Sequence, residues 1–196
     1  MRNEDCRSKE VVFLSSCLLN THNKTKGGAR FPGFWKDFMD VLGEYGVGIQ
    51  QIDCPEVMYM GVQRWDMTKN LYDNVGFRRH CRKLAEHNAD YMESYKQVGY
   101  RTVAFLVCNG SPTCGYDLTA YDDNWGGDTN AAFAYEDALV PGMGVFVEEM
   151  HKAIEARGFE LPPFFGVGLD VMATPLDDIL RDFKIFMESA TGRTSQ

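Results

Sequence analysis

The chain has 196 residues, of which 44% are apolar and 13% aromatic, enough to build the core of one domain. Its 28 acidic and 20 basic residues give a formal net charge of −8, which argues against a nucleic-acid polymer as partner, because such partners need clustered Lys and Arg. The six cysteines are too few for a small disulfide scaffold, so we expect a reducing, cytoplasmic setting.

No membrane partner is expected, because no segment approaches the roughly 18 apolar residues that a membrane helix needs. The apolar run at 11–14 is also too short for the core of a secretory signal.

Apolar patterning predicts strands and helices in alternation. A short β-branched run predicts a buried strand at 10–16, helical spacing follows at 34–45, and a second strand is expected at 47–53. A long polar helix is predicted at 77–98 and a third strand at 100–107. Residues 109–141, rich in Gly, Asp, Asn and Tyr, are expected to form a long functional loop or lid. A helix at 144–157, a strand at 163–168 and a helix at 176–190 complete the chain.

This order predicts an α/β fold: a doubly wound, mainly parallel four-stranded sheet, Rossmann- or flavodoxin-like, with helices on both faces. The whole chain, 1–196, is expected to be a single domain, with flexible ends at 1–9 and 191–196. In such folds ligands bind beyond the carboxyl ends of the strands, where the strand order reverses.

Three cysteines fall at that edge of the predicted sheet. Cys17 follows the first strand, Cys54 follows the second, and Cys114 lies shortly after the third. Their spacing matches no CxxC-type metal signature, so topology rather than linear motif suggests an open metal site. The alternative at each position is a buried cysteine that acts as a small hydrophobe. That interpretation is kept for the three others, Cys6, Cys81 and Cys108.

Four motifs in order carry a family resemblance: SSCLLN at 15–20, CPE with GVQRW at 54–65, GSPTCG at 110–115 and WGG at 125–127. With them the chain resembles the thiouracil desulfurase family, in its longer desulfurase-related branch. The resemblance implies a [4Fe-4S] cluster held by Cys17, Cys54 and Cys114, with the fourth iron open. It further implies a small thiolated base or nucleoside as substrate and non-redox desulfuration that releases sulfide. Asn20 and Thr113 depart from the residues that are usual in the family at those positions.

Residue by residue, Glu56 of CPE and Ser111 of SPTCG match the residues that assist catalysis in that family. Glu56 would then act as base or proton shuttle, and Ser111 would orient substrate or relay a proton. Two structural alternatives stay open: Glu56 as a charge at a helix start, and Ser111 as an N-cap. For the whole chain the alternative is a non-catalytic iron–sulfur or zinc-binding module for storage or sensing.

Loop residues near the cysteines leave two interpretations open. Lys24, Lys26 and Arg30 fit a solvated loop better than an anion site. Five residues near CPE and SPTCG can either stack on a heterocycle or pack the loops onto the sheet: Arg64, Trp65, Tyr116, Tyr121 and Trp125.

Overall fold

A parallel sheet forms the centre of the computed structural model, which describes residues 5–127, 134–171 and 173–194. In chain order the first half contains β1 (Glu10–Ser15), α1 (Ser16–Leu19), a 3-10 turn (Thr21–Asn23), α2 (Lys36–Glu44), β2 (Gly48–Ile52), α3 (Pro55–Met60), α4 (Lys69–Tyr72) and α5 (Val75–Gln97). The second half contains β3 (Arg101–Cys108), β4 (Leu118–Ala120), a 3-10 turn (Tyr135–Ala138), β5 (Leu139–Pro141), α6 (Val145–Glu155), β6 (Phe164–Val167), a 3-10 turn (Gly168–Asp170) and α7 (Leu176–Thr191).

Strands β1, β2, β3 and β6 form one sheet in the order β2-β1-β3-β6, and every pair is parallel. The chain moves from β1 to β2 on one side and then crosses to β3 on the other, so the strand order reverses between β1 and β3. Right-handed crossovers in these two directions place their helices on opposite faces. The predicted α/β class, with a four-stranded parallel sheet flanked by helices, is therefore confirmed.

Stacked aromatic rings hold the sheet together across its strands. Phe105 on β3 lies between Phe13 and Phe164, with ring centroids 4.8 Å away on each side. β3 is apolar and buried from Val103 to Cys108, as expected for a parallel strand covered on both faces.

Helices pack in pairs on the sheet. Phe38 of α2 stacks on Phe183 of α7 at 4.2 Å between centroids, and both rings are fully buried. Helices α5 and α6 are joined by the Arg78–Glu149 ion pair at 3.0 Å. No helix among the described residues is long and apolar enough to cross a membrane.

The prediction of one long loop at 109–141 is wrong in part. β4 and β5 pair antiparallel within it, and the 3-10 turn Tyr135–Ala138 leads directly into β5. Strands of three residues are too short to show a period in the sequence, which explains why the loop composition dominated the prediction. Residues 128–133 of that segment lie outside the described residues, as do parts of both predicted flexible ends, 1–4 and 195–196.

Predicted element ends shift by a few residues. The helix expected at 34–45 begins at Lys36, and the helix expected at 77–98 begins earlier, at Val75. Asn74 explains the second difference, because its side chain caps α5 by accepting a hydrogen bond from the Phe77 backbone at 3.0 Å. Two short helices, α1 and α4, are absent from the sequence prediction, whereas the helix start at CPE, here α3, is present.

Candidate functional site

A cavity of about 240 Å³ lies at the carboxyl ends of β1, β2 and β3, where the strand order reverses. It gathers all five residues that the sequence analysis singled out as ligands or catalytic residues: Cys17, Cys54, Glu56, Ser111 and Cys114. Other side chains on its wall, which the sequence analysis did not place in the site, include Lys24, Arg64, Cys108, Thr113 and Tyr135. The location agrees with the general position of ligand sites in open α/β sheets.

Each of the three candidate ligands sits just beyond a strand. Cys17 is the second residue of α1, which follows β1 without a break. Cys54 is the N-cap of α3, whose first residue is Pro55, as the CPE sequence predicts. Cys114 belongs to a tight turn after β3, in which the Gly115 backbone donates to the Ser111 carbonyl at 2.9 Å. Cys17 and Cys54 are half-buried, and Cys114 is buried.

Asn109 shapes the loop that carries Ser111 and Cys114. Its side-chain oxygen accepts hydrogen bonds from the backbones of Tyr116 and Asp117, at 3.1 and 3.0 Å. The Asn109 side chain occupies the space beside Gly166 on β6, where a Cβ would lie 2.1 Å from it. The loop is therefore anchored on the neighbouring strand, and any residue larger than glycine at 166 would displace it.

The first turn of α6 is hydrogen-bonded to the loop that carries Ser111 and Cys114. The Thr113 carbonyl accepts from the backbones of Phe146 and Val147, at 2.9 and 3.2 Å. A Cβ on Gly144 would lie 2.4 Å from the carbonyl carbon of Thr113, so backbone touches backbone here. This close approach fixes the SPTCG turn against the core.

A continuous hydrogen-bonded chain runs along the cavity wall from Ser111 to Glu56. The Thr113 hydroxyl donates to Glu56 Oε1 at 2.7 Å, and the Ser111 and Thr113 hydroxyl oxygens are 3.2 Å apart. Glu56 Oε1 is the nearest acceptor for the Thr113 hydroxyl, which also lies 3.5 Å from Cys114 Sγ, and with the Thr113 hydrogen on Glu56 it is Ser111 that donates in the second bond. The Ser111 oxygen in turn accepts from the backbones of Thr113 and Cys114, at 3.3 and 3.0 Å.

Arg64 holds the other end of this chain. Its Nε donates to Glu56 Oε2 at 2.6 Å, and its Nη2 donates to the Asn23 carbonyl at 2.9 Å. The pair is buried, with side-chain exposures of 5% for Arg64 and 8% for Glu56. Arg64 therefore pairs with Glu56 away from water and fixes the orientation of its side chain beside the thiols.

Both alternatives left open for Glu56 and Ser111 are also seen. Glu56 lies in the first turn of α3, and Ser111 caps the turn that contains Cys114. These structural roles coexist with the hydrogen-bonded chain, because a helix-start charge or a cap does not require a hydroxyl bridge between two elements.

Burial raises the pKa of the Cys54 thiol to about 11, and the negative charge of Glu56 adds to the effect. The pKa of Cys114 also lies well above the usual range, through burial first and then the neighbouring Cys54. Both sulfurs are therefore neutral thiols at pH 7 in the chain without metal. Binding a metal there displaces protons, because the thiolate is the ligand form.

No protein-family model matches the chain. An uncharacterized protein of Methanocaldococcus jannaschii, MJ0003, is 32% identical to it over 108 residues, which cover 55% of this chain and 69% of the archaeal protein. The chain belongs to the MJ0003 family.

A solved structure, that of the [4Fe-4S]-dependent thiouracil desulfidase TudS, is similar to this MJ0003-family chain with a TM-score of 0.49 and 17% identity. The similarity covers 90% of this chain and 99% of the desulfidase.

One prediction about a residue of this MJ0003-family site is wrong, and a second is correct but incomplete. Lys24 is buried on the cavity wall instead of solvated, whereas Arg30 points away and donates to the Thr174 carbonyl at 3.3 Å. Cys108 is fully buried, as expected of a packing residue, but its side chain also lines the cavity. The sequence spacing of Lys24 and Cys108 does not indicate a place in the site, because it is the folding of the backbone that brings both side chains to the cavity.

None of the four loop aromatics named from the sequence lines the cavity. Tyr116 stacks on Phe164 with ring centroids 5.1 Å apart, and the Trp125 indole donates to the Asp66 carbonyl at 3.2 Å. Trp65 is 81% exposed. Tyr135 is the aromatic side chain that the described residues place on the cavity wall, and the sequence analysis did not single it out.

The donor set on this cavity suits a soft metal group. Thiolates are the ligands that iron–sulfur clusters take, and each cysteine of a cluster binds a different iron, so the sulfurs must surround a volume. Cys17, Cys54 and Cys114 all line the same cavity, each from a different segment of the chain. Within the described part of the chain, no three His, Cys, Asp or Glu side chains are grouped closely enough to hold a single metal ion.

Proposed function

We propose that this chain is an iron–sulfur-dependent desulfidase that acts on a small thiolated base or nucleoside. Cys17, Cys54 and Cys114 would hold a [4Fe-4S] cluster, and its fourth iron would supply a soft Lewis acid for the substrate sulfur. The proposal is carried by one observation: a buried Ser111–Thr113–Glu56 hydrogen-bonded chain ends on the wall of the cavity that the three thiols line.

The overall reaction is a hydrolysis. Water adds its oxygen to the thiocarbonyl carbon, the carbon–sulfur bond breaks, and the sulfur leaves with both electrons of that bond as sulfide. No electron is exchanged with an external donor, so the protein has to manage protons only.

The orientation of the hydroxyls defines the direction of proton movement. Ser111 donates toward Thr113, and Thr113 donates to Glu56 Oε1. If Ser111 releases its long 3.3 Å bond from the Thr113 backbone, its oxygen can take a proton from the attacking water, and a proton then moves through Thr113 to Glu56. Arg64 fixes the orientation of Glu56 before the proton arrives. The protonated Glu56 can return the proton to the departing sulfide by the same path.

The alternative function is a non-catalytic iron–sulfur or zinc-binding module for storage or sensing. It needs the cysteines but gives no role to a hydroxyl bridge between Glu56 and Ser111. One experiment with two readouts therefore separates the two functions.

The full chain is reconstituted without oxygen, and iron, acid-labile sulfide and sulfide release from 2-thiouracil are measured. Substituting alanine for Cys17, Cys54 or Cys114 should abolish the cluster. Cys81→Ala is the matched control, because Cys81 is a buried cysteine on α5 away from the cavity wall, and this variant should keep the cluster.

Glu56→Gln should retain the cluster, because the amide oxygen still accepts from Arg64, but it should lose roughly 10²- to 10⁴-fold in turnover, the range typical of a lost acid–base group. A wild-type chain that takes up no iron would refute the proposal. Full cluster content without sulfide release from any thiolated base would favour the non-catalytic module.

A further inference from the structure

Cys108 gives the cavity a fourth thiol. It is the last residue of β3, it is fully buried, and it lies on the cavity wall with the three cysteines already considered. The donor set around the cavity is thus four cysteines, which is the usual complement of a four-iron cluster.

Lys24 holds this fourth sulfur. Its ammonium donates to Cys108 Sγ at 3.2 Å, and Lys24 is itself only 8% exposed. Lysine is among the residues that proteins bury least, so its placement against a sulfur in this wall calls for a specific role. The contact joins the loop after the 3-10 turn Thr21–Asn23 to the end of β3, two segments that otherwise approach the cavity from different sides.

We propose that Cys108 is a reversible fourth ligand of the cluster, which competes with the substrate sulfur for the fourth iron, and that Lys24 restrains it. The inference rests on the proposed function and adds a means of regulating the same site. With Cys108 hydrogen-bonded to Lys24, the fourth position stays open to substrate. When Cys108 binds iron, its bond to Lys24 breaks and any proton on its sulfur passes to solvent.

Binding of Cys108 to the fourth iron would protect the cluster between turnovers. An iron with only three cysteines around its cluster is easily lost on oxidation, whereas a fourth thiolate retains it. The proposal therefore predicts a difference in cluster chemistry that does not depend on turnover.

The test uses the reconstituted full chain as wild type, Cys108→Ala, Lys24→Met and the control Cys81→Ala. Each is treated with ferricyanide under anaerobic conditions, and the three-iron cluster that forms on loss of the fourth iron is quantified by electron paramagnetic resonance. Cys108→Ala should yield several-fold more three-iron cluster than wild type, and Lys24→Met should yield less. Cys81→Ala should match wild type.

Folding is checked by the thermal transition of each metal-free variant, so that the readout reports ligation and not unfolding. Should Cys108→Ala fold poorly, Cys108→Ser provides the second variant, since it keeps the volume and removes the soft donor. If correctly folded Cys108 variants yield the same amount of three-iron cluster as wild type, this inference is wrong and the proposed function stands. If wild type takes up no iron, both are wrong.

Discussion

The Thr113 hydroxyl connects the two proposed catalytic groups, Ser111 and Glu56, by hydrogen bonds. Thr113 lies on a different element from Glu56. Thr113→Val keeps the shape of the side chain but removes the hydroxyl that donates to Glu56 at 2.7 Å. A hydrogen bond to a charged group contributes about 1.5–3 kcal/mol, so we expect kcat to fall roughly 10- to 100-fold.

The measurement is sulfide release by reconstituted protein, with iron content determined on the same samples. Thr113→Ser is the matched control, because it restores the hydroxyl and should restore most of the activity. Equal turnover in the valine variant and wild type, at equal iron content, would remove Thr113 from the proton path.

Residue identity explains why the sequence revealed some of the site and not the rest. The cysteines, Glu56 and Ser111 stand in short motifs next to predicted strands, so their common edge follows from topology alone. Lys24 stands in no such motif, and Thr113 lies within SPTCG but nothing in the motif shows that its hydroxyl reaches Glu56. Lys24 becomes a wall residue only because its loop folds back onto Cys108, a contact between positions 84 residues apart.

At the scale of elements, the SPTCG turn depends on the close approach of α6. Gly144→Ala would place a Cβ 2.4 Å from the Thr113 carbonyl carbon, and backbone cannot move aside as a flexible side chain can. We expect the free energy of unfolding to drop by roughly 1–3 kcal/mol, the usual cost of overpacking, and the yield of reconstituted cluster to fall with it.

Urea unfolding of the metal-free chain and iron content after reconstitution measure the two effects. Gly43→Ala is the control, since Gly43 lies on α2 with nothing within 4 Å of the added Cβ. Alanine in a helix is favoured over glycine by about 1 kcal/mol, so this control should be neutral or more stable. Equal stability of both alanine variants would mean that the turn can relax away from α6.

The predictability of each element follows its length. The four long helices carry enough residues to show a period of 3.6, the four sheet strands stand out as short apolar or β-branched runs, and all eight elements exist. The helices α1, α3 and α4 and the strands β4 and β5 have three to six residues, too few for such a signal. These short pieces shape the cavity, so the site is harder to predict than the fold around it.

For the molecule as a whole, buried thiols couple metal binding to stability. Cys54, Cys81 and Cys114 all have a pKa raised by burial, in the first case to about 11 from a usual 9.0. Glu56 further raises the pKa of Cys54, so the carboxylate that is proposed to accept protons also keeps the empty site protonated. The folded chain without metal therefore retains protons that the unfolded chain releases.

This difference predicts an alkaline loss of stability in the metal-free protein. Above pH 9 the unfolded chain loses its thiol protons first, so it binds fewer protons than the folded chain and the free energy of unfolding falls as pH rises. The fall is roughly 1.4 kcal/mol per pH unit for each group until the folded pKa is reached. Urea unfolding at pH 8, 9 and 10 under reducing conditions measures this fall. Cys81→Ala should make the fall per pH unit smaller by the contribution of one thiol.

In the cluster-loaded chain Cys54 and Cys114 would already be thiolates bound to iron, so its stability should change less over the same range. A metal-free chain with equal stability at pH 8 and pH 10 would contradict the prediction, because it would mean that these thiols titrate alike in the folded and unfolded states.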